Sequence, residues 1–145
     1  MLNIYFFIYI MDSKHLQFIT EYNYHLKYIG RLYVSKCKGT PNEEMANRNL
    51  KRIMLAINET PEFMLTESGP YLLKYADQIK NDNWEIFMNM DYKEIDNSQT
   101  SKVQIDILKN TYRMCTEKEK KIITNSVKEL LSIYCKYVLL LKSST

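Results

Sequence analysis

The chain has 145 residues, of which 46% are apolar and 26% are charged, and its formal net charge is +3. This length suits one domain with a single core, and this composition excludes a disordered chain. Three glycines and three prolines are too few for many short strands, so we predict a single-domain, all-α bundle of about five to seven helices.

The first ten residues, MLNIYFFIYI, are almost wholly apolar. They lack a positive region and a small-residue cleavage motif, and they are too short to cross a bilayer, so we expect neither a secretory signal nor a membrane span. Met11 is followed by Asp12 and Ser13, either of which can cap a helix. We therefore interpret residues 1–10 as an N-terminal extension, with Met11 as an alternative start to Met1, and residues 11–145 as a single helical domain.

Apolar residues at helical intervals predict a first helix over residues 13–34. His25 falls within its apolar side, where a buried structural histidine is more usual than a ligand. Thr40, Pro41 and Glu43 then predict a second helix that opens with a capping box, with Pro41 at the first helical position. This second helix presents three cations opposite its apolar stripe, namely Arg48, Lys51 and Arg52.

The segment GPYLLKYADQIKNDNWEIFMNMDY, residues 69–92, contains the single tryptophan of the chain. We predict that Gly69 ends one short helix and that Pro70 begins the next. The segment then predicts a helix-turn-helix element whose aromatic residues fill the core, with Trp84 mostly buried. Residues 93–101 are polar and lack periodicity, which predicts an exposed loop.

A helix is predicted over residues 100–114, and Thr116 with Glu119 forms a second capping box that opens a long last helix. Near its end this helix has about twelve apolar residues, interrupted by Lys136, whereas a membrane span needs about 18 to 20. Its lysines lie opposite a broad apolar arc. We therefore predict a core helix at the centre of the bundle.

The charges are unevenly distributed along the chain. Residues 12–58 have a net charge of +4, residues 59–96 of −6, and residues 97–145 of +5. In one interpretation the acidic segment packs beside the basic helices and the charges offset each other. In the other it is a contact region for a protein partner, for which we name the acidic side chains Asp91, Glu94 and Asp96.

No catalytic or cofactor motif is recognisable. The three glycines do not form a phosphate-binding loop, and the three cysteines, Cys37, Cys115 and Cys135, have neither a C-x-x-C spacing nor a nearby histidine. We expect no cofactor and no metal, a reducing compartment such as the cytoplasm, and no enzymatic activity. The sequence favours a non-enzymatic protein-interaction or scaffold module, and it specifies neither the partner nor the oligomeric state.

The alternative function is nucleic-acid binding through basic helix faces. The candidate contacts are Arg48, Lys51, Arg52, Lys118, Lys121 and Lys128. These two trios need to lie on one surface, because three cations on one helix are too few to hold a polyanion. Binding through phosphates would weaken steeply as the salt concentration rises.

The stretch GPYLLKY from Gly69 to Tyr75, with the later residues Trp84 to Tyr92, resembles the small helical proteins encoded by large nucleocytoplasmic DNA viruses, the giant-virus group. The abundance of Ile, Lys, Asn and Tyr, whose codons are AT-rich, agrees with that resemblance. It implies the cytoplasm of an infected cell or a virion as the setting. The resemblance implies no activity for this chain and identifies no catalytic residue in it.

Overall fold

The computed structural model describes the backbone of residues 2–90 and 99–143, and the side chains of residues 13–90 and 106–143. Across these ranges the chain forms seven helices and no strand, so the predicted all-α bundle is confirmed. The helices are α1 (Leu2–Cys37), α2 (Glu43–Glu59), α3 (Phe63–Lys74), α4 (Ala76–Lys80), α5 (Trp84–Asn89), α6 (Gln99–Met114) and α7 (Glu117–Ser143).

The first and last helices form the centre of the bundle. α7 packs most extensively against α1 and also contacts α3 and α4, while α2 packs against α1 and α3. The buried core cluster comes from three of these helices and consists of Ile19, Tyr22, Leu65, Leu130 and Ile133. The predicted central position of the last helix is therefore confirmed.

The first helix is longer than predicted, since α1 begins at Leu2 and ends at Cys37. Gly30 lies within this helix, and a β-carbon at this position would be 2.9 Å from the Leu50 Cδ1 atom, so the glycine allows α2 to pack closely against α1. The helix ends just before Gly39, whose φ of +78° is a left-handed conformation that a residue without a β-carbon adopts easily.

The second helix begins at Glu43, two residues later than predicted. Thr40 and Glu43 do form hydrogen bonds, but in the loop rather than as a capping box. The Thr40 hydroxyl donates to the Cys37 carbonyl at 2.6 Å and accepts from the Asn42 amide at 3.2 Å. The Glu43 carboxylate accepts from the Gly39 amide at 3.1 Å. These bonds hold the tight connection between α1 and α2.

The predicted helix break at Gly69 and Pro70 is wrong, because α3 continues through both residues. Gly69 is buried, and a β-carbon at this position would lie 2.1 Å from the Cδ1 and Cε1 atoms of Tyr134. The glycine therefore allows the Tyr134 ring of α7 to contact the α3 backbone directly. Pro70 has no amide hydrogen, so the helical hydrogen bond to the Thr66 carbonyl is missing. Because Pro70 is exposed, its ring does not clash with the core.

The break occurs instead at Tyr75, after which the chain forms the short helices α4 and α5. Between them Asp82 has a φ of +56°, a conformation in which aspartate is tolerated better than most residues. Its Oδ1 atom accepts hydrogen bonds from the Trp84 Nε1 atom at 3.1 Å and from the Lys128 Nζ atom at 2.7 Å. One carboxylate thus attaches this turn to α7.

The capping box at the start of α7 is confirmed. The Thr116 amide donates to the Glu119 carboxylate at 2.9 Å, and the Glu119 amide donates to the Thr116 hydroxyl at 3.1 Å. Along the described part of the chain, none of the helices combines the length and the apolar character that crossing a bilayer requires.

Candidate binding surfaces

The outer side of α3 exposes several apolar side chains. Phe63, Tyr71 and Leu73 have exposed fractions of 45%, 37% and 48%, and Pro70 is also exposed. Helical spacing places these four residues on the same half of the helix. We refer to Phe63, Pro70, Tyr71 and Leu73 as the α3 outer face. It lies within the acidic segment 59–96, which the charge distribution predicts as a contact region in one of its two interpretations.

Acidic side chains surround the α3 outer face. Glu62 precedes α3, Glu67 lies in its middle, Glu59 ends α2, and all three are exposed. Elsewhere in the acidic segment Asp82 forms an ion pair with Lys128 of α7, so the expected charge compensation holds at that point. The face therefore has negative charge at its start and middle, and the exposed Lys74 lies at its end, with its ammonium over the Tyr75 ring.

A second feature is a cavity of about 470 Å³ between α1, α3, α4, α5, α6 and α7. Aromatic side chains from four of these helices and from the break at Tyr75 line it, including Tyr33, Tyr71, Tyr75, Trp84, Phe87 and Tyr112. We call it the aromatic cavity. The prediction that the aromatic residues of segment 69–92 fill the core is wrong, because partly buried Trp84 and Phe87 line this cavity instead of joining the core cluster.

Two of the cysteines lie beside Thr111, and Thr111 and Cys115 are part of the lining of the aromatic cavity. The Cys37 thiol lies 3.6 Å from the Thr111 hydroxyl, and the Cys115 thiol donates to the Thr111 carbonyl at 3.3 Å. Burial raises the pKa of the Cys115 thiol, and burial with the neighbouring Cys37 raises the pKa of Tyr33 to about 12. Cys115 and Tyr33 are therefore neutral at physiological pH, and a neutral thiol is a poor nucleophile.

An ion pair lies at the edge of the aromatic cavity, where Lys36 donates to the Glu119 carboxylate at 2.9 Å. The hydrogen bond from Lys36, followed by the bond from the Thr116 amide, lowers the pKa of Glu119 to about 2. Because Glu119 also caps α7, one carboxylate connects the end of α1 to the start of α7.

We expect this ion pair to make the fold sensitive to acid. The folded pKa of Glu119 lies below its ordinary value of 4.5, so its contribution to stability is full above about pH 4.5 and is lost as the pH falls towards about 2. Glu119→Gln keeps a capping side chain but removes the charge. Urea unfolding should therefore show the largest difference in unfolding free energy between wild type and E119Q at neutral pH, and this difference should decrease as the pH is lowered.

The matched control is Glu44→Gln, which removes the carboxylate of an exposed pair with Arg48. Exposed pairs of this kind contribute little, so E44Q should follow the wild type at every pH. A gap for E119Q that stays constant across the acidic range would contradict the role assigned to the Lys36–Glu119 pair.

The histidines and the acidic residues do not form a metal centre in the described ranges, where no group of three or more metal-ligating side chains comes together. His15 and His25 both lie on α1. His15 packs edge-on against Tyr137 of α7 with 5.6 Å between ring centroids, and His25 packs edge-on against Tyr24 at 5.5 Å. His25 is half-buried rather than enclosed in the core.

The candidate nucleic-acid contacts lie on two helices that both pack against α1. On α2 all three cations are exposed, and Arg48 is paired with Glu44 at 3.1 Å. On α7 Lys118 and Lys121 are exposed, while Lys128 is half-buried and paired with Asp82. The α7 trio therefore includes a lysine whose charge is already compensated. A shared nucleic-acid surface stays a prediction.

The predicted partner contacts Asp91, Glu94 and Asp96 lie outside the described residues. The predicted loop over residues 93–101 is partly corrected, because α6 begins at Gln99 and the last three residues of that range are helical.

Comparison of this chain with protein-family models, with curated proteins and with solved structures gives no match.

Proposed function

We propose that this protein is a non-enzymatic protein-interaction module and that the α3 outer face is its contact surface. The observation that supports the proposal is the exposure of Phe63, Tyr71 and Leu73 on one side of a single helix. Contiguous exposed apolar side chains mark interaction sites on soluble proteins, and aromatic residues are enriched in the cores of interfaces. A structural scaffold function would use the same face.

The charges around the face indicate the chemistry of the partner. With Glu59, Glu62 and Glu67 exposed beside it, the face suits a partner segment that presents apolar side chains flanked by lysine or arginine. Asp91, Glu94 and Asp96 would add to this acidic border. A viral origin, with the host cytoplasm or a virion as the location, belongs to the same proposal and is supported by the resemblance of segment 69–92.

The proposal is tested by affinity purification with three baits: wild type, Leu73→Arg and Leu139→Arg. Leu73 lies on the α3 outer face, whereas Leu139 lies on α7 and is also exposed, at 66%. A partner that uses the α3 outer face should be recovered with wild type and L139R, and its recovery should fall about tenfold with L73R, as expected for the loss of one interface anchor.

Each bait is first compared by circular dichroism, so that a folding defect is not mistaken for a lost contact. Equal recovery of the partner with L73R and wild type would contradict the proposal. Recovery of nucleic acid alone, removed by nuclease treatment, would favour the alternative function that uses the basic faces of α2 and α7.

A further inference from the structure

We propose that the aromatic cavity is a binding site for an uncharged, hydrocarbon-like small molecule. The ligand would lie among the apolar side chains that the surrounding helices contribute to the wall. This inference goes beyond the proposed function, because it concerns a small molecule between helices rather than a protein partner on the surface. Tyr71 belongs to both the α3 outer face and the cavity lining, so the two tests depend on other residues, Leu73 for the face and Val127 for the cavity.

The size of the cavity limits the ligand to a small molecule. Its volume is about 470 Å³, within the range of about 300–1,000 Å³ that ligand pockets occupy. With about 30 Å³ for each water-sized group, this space admits about fifteen non-hydrogen atoms. A compound of two linked benzene rings is within this limit, whereas a helix of a partner protein is too large.

The wall of the cavity is almost entirely apolar. Trp84, Phe87 and Met88 of α5 form one side, and Val127 of α7 contributes to another. The ring centroids of Trp84 and Phe87 are 5.8 Å apart, and Tyr75 packs edge-on against Phe87 at 5.7 Å. Aromatic rings supply large contact areas, and the unbranched methionine side chain adapts its shape to a ligand. Binding of an apolar molecule here removes apolar surface from water on both partners, which is favourable.

Hydroxyl and thiol groups of the lining form hydrogen bonds within the protein. The Thr111 hydroxyl lies 3.6 Å from the Cys37 thiol, and the Thr111 carbonyl accepts from the Cys115 thiol at 3.3 Å. The Thr124 hydroxyl donates to the Lys121 carbonyl of its own helix at 3.1 Å. A polar ligand would therefore lose its hydrogen bonds to water without equivalent replacements, and this loss is unfavourable.

The lysines of the described lining are bonded to other groups of the protein. Lys36 donates to the Glu119 carboxylate at 2.9 Å, and Lys109 donates to the Met90 carbonyl at 2.6 Å. An anionic ligand would have to compete with these bonds after losing its own hydration. For a cationic ligand, the described lining contains no carboxylate. The cavity should therefore select against charge of either sign.

Three probes of similar shape test this selection: biphenyl, its para,para′-dicarboxylate, and its para,para′-bis(aminomethyl) analogue, which is a dication at neutral pH. Each charged probe has a charge at both ends, so that at least one charge must enter the apolar wall. Trp84 is the only tryptophan of the chain and belongs to the lining, so its fluorescence reports on occupation of the site. Calorimetric titration gives an independent affinity. Biphenyl should bind at least about tenfold more tightly than either charged probe and should raise the midpoint of thermal unfolding.

Variants that fill the cavity test where biphenyl binds. Val127 and Ile123 both line the cavity, so Val127→Phe and Ile123→Phe each add a ring to the space from α7. Each substitution should weaken biphenyl binding about tenfold or more. Leu139→Phe adds a ring to the same helix at an exposed residue outside this lining, and it should leave the affinity unchanged. Circular dichroism of each variant shows whether the fold is retained, and I123F replaces V127F if the latter does not fold.

Three outcomes would overturn the inference. Absence of biphenyl binding would mean that the cavity is not a site for an apolar ligand. Equal affinities for the three probes would mean that the site does not select against charge. Unchanged biphenyl affinity in the folded cavity-filling variants would place the ligand elsewhere. None of these results would affect the α3 outer face, whose test depends on Leu73 and a protein partner.

Discussion

Replacing Gly69 by alanine is expected to lower the free energy of unfolding by about 1–3 kcal/mol, the usual cost of adding atoms to a well-packed interior. The new methyl group would lie 2.1 Å from two ring atoms of Tyr134, so either the Tyr134 ring or the two helices must shift. Helix propensity alone predicts the opposite sign, since alanine is favoured over glycine by about 1 kcal/mol within a helix. Urea unfolding of wild type and G69A shows whether the substitution lowers or raises the free energy of unfolding.

Gly30→Ala is the matched control, because Gly30 is also a helical glycine at a helix–helix contact. Its new methyl group would lie 2.9 Å from a single terminal atom, Leu50 Cδ1, which can rotate away. We expect a smaller loss of stability than in G69A. In a double-mutant cycle, Tyr134→Val should recover much of the stability lost in G69A. A G69A protein more stable than wild type would show that α7 does not contact the α3 backbone at this point.

Truncation of Tyr22 to alanine is expected to cost about 3–5 kcal/mol, the range found for large aromatic residues in cores. The Tyr22 side chain is fully buried at the centre of the core cluster, between helices α1, α3 and α7. Its removal would leave a cavity that the three long helices cannot close without moving. Denaturant unfolding should show a large decrease in the midpoint with little change in the slope.

Tyr22→Phe separates the ring from the hydroxyl group and is the control for this prediction. The Tyr22 hydroxyl lies 2.6 Å from the Ser68 hydroxyl, and Ser68 donates its own proton to the Met64 carbonyl, so Tyr22 is the donor to Ser68. Loss of this bond should cost only about 1 kcal/mol. Burial raises the pKa of Tyr22 to about 12, so the bond should persist in mildly alkaline solution. Equal losses for Y22F and Y22A would contradict the assignment of most of the energy to the ring.

Features that depend on neighbouring residues were predictable from the sequence. The capping box of Thr116 and Glu119 needs only two side chains three positions apart, and the structure contains both of its hydrogen bonds. The apolar side of the first helix follows from helical periodicity, and Ile19 and Tyr22 from that side are in the core cluster. Such patterns act within one or two turns of the chain, so no tertiary information is required.

The continuation of α3 through Gly69 and Pro70 was not predictable, because its cause lies far away in the sequence. The dipeptide is a common helix terminator, yet here the glycine is needed for contact with the Tyr134 ring. Likewise, the meeting of Cys37 and Cys115 at Thr111 depends on how α1 and α6 are placed. The aromatic cavity is formed between six helices, and the sequence of any one of these helices does not indicate it.

The pairing of α1 with α7 has a consequence for synthesis of the protein on the ribosome. Ile19 and Tyr22 are translated early, whereas Leu130 and Ile133, with which they form the core cluster, are translated more than a hundred residues later. The earlier helices leave the exit tunnel without the partner that buries their apolar sides. Chaperones that bind exposed apolar segments would therefore have access to the nascent chain until α7 emerges, when the bundle can close in one late step.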